Sequence, residues 1–183
     1  MKYKDIEFVA IVATPGCGKS YLCDKYPELF VDVDELRLKC KYFIPEDITR
    51  EELEATKGNR PYKRRADDTQ YVIDLHNKLD QYVKEGKTLI AAPHHEAIDY
   101  LVKNDIKFCF IYPQDDLKEE LKRRMEVRGN QENVVTENYN DFERYLVSNQ
   151  KENKSVVHYR FGKDEYLEDI LVKFGYKVKS KSR

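Results

Sequence analysis

The chain has no tryptophan, no excess of charge and no long apolar run. Only seven glycines, six prolines, four cysteines and two methionines occur in 183 residues. The apolar runs reach about eight residues, far short of the roughly 20 that span a bilayer, so no membrane partner is expected. Thirty-three basic residues against 34 acidic ones leave a net charge of -1, which gives no global case for non-specific nucleic-acid binding. Cys17, Cys23, Cys40 and Cys109 include no pair at metal-ligand or redox spacing. With no secretory signal in MKYKDIEFVAIVATPG, they read as reduced thiols of a cytoplasmic protein. There is no internal repeat and no low-complexity linker. The tail from Lys177 to Arg183 is basic and reads as a solvated terminus.

What is present suits one domain over residues 1–183. The residues are 40% hydrophobic and 37% charged, and a chain of this length buries roughly 70% of its unfolded surface. Five short apolar segments alternate with helix-like stretches: FVAIVA at 8–13, FVDV at 30–33, TLIAA at 88–92, FCFIY at 108–112 and VVHY at 156–159. Several are apolar on both faces, as strands of a buried parallel sheet are. Between them, Val72, Leu75, Leu79 and Val83 recur at helical spacing, as do Leu117, Leu121 and Met125, and Leu167, Ile170, Leu171 and Phe174. Helices are also expected from Lys19, over Glu96–Lys103 and over Asp141–Gln150. The expectation is a three-layer α/β sandwich on a five-stranded parallel sheet. Residues 35–87 form a helical insert on the acceptor side, and 123–140 a short lid.

Directly after the first strand stands ATPGCGKS, residues 13–20. It matches the phosphate-binding pattern G-x-x-x-x-G-K-[ST] except that Ala13 replaces the first glycine, at the strand end farthest from any phosphate. Gly16 and Gly18 let backbone N–H groups turn inward around an anion, and the following helix N-terminus favours negative charge. Lys19 would reach the β- and γ-phosphates of ATP, and the Ser20 hydroxyl would ligate Mg²⁺. Pro15, Cys17 and Tyr21 complete the expected donor-side contacts. The bland alternative is an ordinary glycine turn.

VDVDELR follows at 31–37, and LKEELKRRMEVRGN at 117–130. In the second stretch Arg124 and Arg128 are four residues apart and share a helix face, with Gly129 as hinge or stop. With the phosphate loop, these stretches resemble the P-loop kinases of small molecules and polynucleotide ends. That superfamily includes nucleoside monophosphate kinases, shikimate and gluconate kinases and the kinase domain of polynucleotide kinase. The resemblance implies that Asp34 contacts or deprotonates the acceptor hydroxyl, that Asp32 helps hold Mg²⁺ through water, and that Arg124 and Arg128 close over the transferred phosphoryl group. Asp34 can equally cap a helix beginning at Glu35, and the arginine helix can be a solvated face paired with Glu119, Glu120 and Glu126.

LIAAPHH at 89–95 carries no acid where many P-loop enzymes hold Mg²⁺ through water, and Glu96 comes late for that role. His94, at a strand's C-terminal end, is a candidate acceptor contact. Arg37, Arg60, Arg64 and Arg65 are candidate ligands of a phosphate already on the acceptor. Arg160 or Phe161, after the fifth strand, could stack on adenine. The reading is a phosphotransferase using ATP and Mg²⁺ on a small phosphorylated acceptor, a (deoxy)nucleoside monophosphate first. A nucleic-acid 5′-end or a modified base in DNA is the second reading, and a nucleotide-binding protein without transfer activity the third. The protein would act as a monomer or homodimer. The Lys-, Tyr- and Asn-rich composition suits a bacteriophage or low-GC bacterial source.

Overall fold

A computed structural model describes residues 2–3, 6–56, 61–65, 67–127, 136 and 156–176. Lys2–Tyr3 (β1) and Ile6–Glu7 (β2) form a small antiparallel pair. Five parallel strands make the main sheet: β3 Ala10–Ala13, β4 Phe30–Asp32, β5 Thr88–Ala91, β6 Phe108–Pro113 and β7 Val156–Phe161. They are ordered β4-β5-β3-β6-β7, so the strand leading into ATPGCGKS is central. Its register sets Ile11 beside Ile90 on one side and Cys109 on the other.

Alternation along the strands divides the apolar residues between two cores. Ile11, Cys109, Ile111 and Val157 face one layer, with Leu22 and Cys23 of α1 (Lys19–Lys25), Leu121 of α6 (Lys118–Val127) and Ile170 and Leu171 of α7 (Leu167–Lys173). Ala10, Val12, Leu89, Phe108 and Phe110 face the other, with Leu36 and Cys40 of α2 (Val33–Lys41), Leu75 and Leu79 of α4 (Asp68–Lys84) and Ile98 and Leu101 of α5 (His95–Lys103). The architecture is therefore a three-layer α/β fold on an all-parallel sheet, as the alternating segments predict.

The stretch 35–87 contributes directly to that second core through α2 and α4. Between them lies α3, Arg50–Ala55, opened by Thr49 and Glu52, which bond each other's backbone N–H groups. The segments around Tyr42 and Arg64 pair antiparallel. Arg60, the expected helix at 141–150, the basic tail from Lys177 and, within the lid, residues 128–135 and 137–140, Arg128 included, lie outside the described residues. Among the described residues, no helix is long and apolar enough to cross a membrane.

Candidate functional site at the carboxyl ends of the strands

β3 delivers the phosphate loop at the sheet's carboxyl edge, where α/β folds bind ligands. Ala13 is fully buried in strand pairing with β6 opposite Ile111, so the departure from glycine falls in the strand and leaves the turn intact. Gly16 (φ 82°) and Gly18 (φ 95°) hold left-handed backbone that L side chains rarely adopt, and Gly18 is the N-cap of α1. Lys19 is buried and bends back over the loop, its Nζ donating to the carbonyls of Ala13 (3.0 Å) and Thr14 (3.2 Å). Both acceptors are neutral, and among the described residues no carboxylate pairs with the Lys19 ammonium. Pro15 and Ser20 are half-buried, Cys17 is fully buried and Tyr21 is 58% exposed.

Two elements brace the loop. The Leu167 N–H, at the start of α7, donates to the Cys17 carbonyl at 2.8 Å. A methyl added at Gly18 would touch Tyr166, and one at Gly16 would lie 3.6 Å from Cβ of Arg124. Arg124 is therefore seated against the loop. Its Nε donates to Glu120 at 2.9 Å, its Nη2 to the Lys163 carbonyl, and its guanidinium lies 4.5 Å from the Tyr166 ring centroid. Among the described residues its buried Nη1 has no hydrogen-bond partner. Sequence reasoning passed over Tyr166 and Lys163, because their proximity to the loop comes from the return of the chain after β7.

Facing the loop, β4 leads straight into α2. Asp32 is the N-cap: its Oδ1 accepts from the amides of Asp34 (3.0 Å) and Glu35 (3.2 Å), so the helix begins at Val33. That frees the Asp34 side chain from capping. Asp34 Oδ1 accepts from the Ala92 amide at the end of β5 (2.8 Å) and lies 3.7 Å from Nε2 of His94. The carboxylate remains 29% exposed. Burial pushes the His94 pKa below the ordinary histidine value, opposed by Asp34 and Glu96 and assisted by Arg37 and Lys19.

Behind His94, Glu96 is buried in the first turn of α5. It accepts from Tyr71 Oη (2.8 Å) and Arg37 Nη1 (3.2 Å), with His95 3.3 Å away. Burial works to raise its pKa. Its own backbone amide, Tyr71 and Arg37 outweigh burial and hold it at about 2. Glu96 is thus spent on orienting Arg37, whose buried Nε has no hydrogen-bond partner among the described residues. Arg64 is exposed, with its backbone paired to Tyr42.

For Mg²⁺, an ion that prefers oxygen ligands and keeps several waters, the loop offers the Ser20 hydroxyl. Both Asp32 oxygens are already engaged, Oδ1 by the cap and Oδ2 by Arg50 at 2.6 Å. Among the described residues no three His, Cys, Asp or Glu side chains gather as a metal site. The fit is that of an ion carried by Ser20 and by phosphate oxygens rather than by a protein cage.

No family model matches the chain, and no curated protein matches its sequence. Solved structures do match in outline. An uncharacterized protein from Eubacterium ventriosum ATCC 27560 aligns at TM-score 0.48 and 15% identity, over 91% of this chain and 96% of that one. Dephospho-CoA kinase from Campylobacter jejuni aligns at TM-score 0.35 and 14% identity, over the same shares. Likenesses this distant carry no weight on activity. The class rests on the chain's own features, a parallel α/β sheet with a glycine loop and a lysine at the end of its central strand.

Proposed function

We propose that the protein is a phosphotransferase that moves the γ-phosphoryl group of ATP to a hydroxyl or phosphate oxygen of a small phosphorylated acceptor, a (deoxy)nucleoside monophosphate first. The observation that carries this reading is the pairing of a buried, carboxylate-free Lys19 on a left-handed glycine loop with the half-exposed Asp34 across the strand ends.

Backbone N–H groups of the loop at Gly16–Lys19 and the start of α1 would cradle the β-phosphate. Lys19 would leave the Ala13 and Thr14 carbonyls and follow the γ-phosphoryl group, which carries the charge of the transition state. Ser20 would hold a Mg²⁺ ion, whose chemistry would be to neutralise phosphate charge. Asp34 would orient the acceptor and, where the attacking atom is a hydroxyl oxygen, take its proton as the new P–O bond forms and the bond to the ADP oxygen breaks. Arg124, seated on the loop, would add its unpartnered Nη1 to the phosphates, and Arg37 would bind an anionic acceptor. Arg128 would join from the lid.

The test is transfer itself. Incubation with γ-labelled ATP, Mg²⁺ and a panel of nucleoside monophosphates, nucleosides and DNA 5′-ends should place label on a monophosphate. Label on the DNA ends would favour the second reading. ATP binding with label on no acceptor would leave a nucleotide-binding protein and overturn the kinase reading.

A further inference from the structure

Arg50 opens α3 and stands outside every motif, yet each of its three nitrogens serves a different carboxylate. Nε donates to Asp24 Oδ1 at 2.9 Å, Nη1 to Asp32 Oδ2 at 2.6 Å, and Nη2 lies 2.9 Å from Glu35 Oε2. The three acids belong to three elements. Asp24 is on α1, the helix the phosphate loop opens. Asp32 ends β4 and caps α2. Glu35 is in the first turn of α2, next to Asp34. Asp32 is nearly buried, with 7% of its side chain exposed, so its charge needs a partner.

We propose that Arg50 is a positioning residue for this site, a three-way clamp that holds α2 and its Asp34 in register with α1 and its Lys19. The inference rests on the phosphotransfer reading for its catalytic consequence, though not for the clamp itself. The chain of contacts is continuous. Arg50 fixes the Oδ2 side of Asp32, and the Oδ1 of the same carboxylate holds the Asp34 and Glu35 amides. The bond to Asp24 ties that assembly to the loop's helix. Without the guanidinium, the nearly buried Asp32 would lose its counter-charge and Asp24 its tie to α2, while Glu35 would keep its pair with Lys39 at 2.7 Å, so the α1–α2 junction would loosen around Asp32. Lysine cannot replace it. An ammonium supplies charge but no planar fork to hold three acceptors at fixed angles.

The experiment compares the full-length protein with Arg50→Lys and, as a milder change that keeps the Asp24 and Asp32 contacts, Glu35→Gln. Amide hydrogen exchange is followed at Asp34 and Glu35, with α4 amides as the internal reference. Donor affinity and transfer kinetics are measured alongside. In Arg50→Lys, exchange at Asp34 and Glu35 should accelerate about tenfold relative to α4, and kcat should fall about tenfold with ATP affinity unchanged, the scale on which a small misplacement acts. Glu35→Gln should shift both in the same direction by less. Parent-like exchange in both variants would overturn the clamp, as would acceleration spread equally over α4. Exchange needs no turnover, so it decides on the clamp even if no transfer is found, a result that would instead overturn the kinase reading.

Discussion

Two carboxylates, Asp34 and Glu96, do opposite jobs in the site. Asp34 is half-open to solvent and held by one backbone amide, which leaves it free to meet an acceptor. Glu96 is buried, its Oε1 accepts from both Tyr71 and Arg37, and these contacts favour its ionised form. Its folded pKa of about 2 lies below its ordinary 4.5, so its contribution is complete above the ordinary value and is lost as pH falls from there toward 2. Glu96→Gln should cost about 2 kcal/mol at pH 7, because it leaves the half-buried Arg37 without this counter-charge. Denaturant melts as a function of pH check this: the gap between the two proteins should close between pH 4.5 and 2. A gap independent of pH would mean that packing, not charge, makes Glu96 matter. Loss of Arg37 alignment should also weaken acceptor binding without touching the donor.

Among the elements, those read from periodicity match the structure closely. α4 is the clearest case: Leu75 and Leu79, one helical turn apart, are buried beneath the sheet as their spacing predicts. Leu75→Ala should destabilise by about 3 kcal/mol, the usual cost of emptying a packed leucine site. Thermal or urea unfolding measures it, and a loss under about 1 kcal/mol would mean that α4 is only loosely applied to the sheet. Strand identities were equally readable, because strands buried on both faces are short apolar runs cut by Pro93 and by the loop glycines. Boundaries set by single hydrogen bonds were not. Asp32 and Asp34 are both plausible caps by type, and only the fold decides that Asp32 takes the amides. Contacts between distant segments were invisible for the same reason. Nothing near Arg50 announces Asp24, Asp32 and Glu35 as its partners, and nothing near Tyr166 announces Gly18.

At the scale of the molecule, the site is made by strand order. Because β3 is central and β4 lies two positions away, with β5 between, the loop's lysine and the acid after β4 come to the same edge, and the end of β5 supplies the Ala92 amide that holds the acid. The donor half is continuous in sequence and could be read there. The proposed acceptor half is assembled from α2, α5 and the segments between them, so its residues were nameable while their mutual arrangement was not. The phosphotransfer reading assigns these halves separable duties. The most direct measurement pairs ATP affinity with γ-phosphoryl transfer in Lys19→Ala and Asp34→Asn. Lys19→Ala should lose both. Asp34→Asn should bind ATP as the parent does while transfer falls by at least about 100-fold, the low end of what a positioned base contributes. Parent-like turnover in Asp34→Asn, or undiminished ATP binding in Lys19→Ala, would overturn that division of duties.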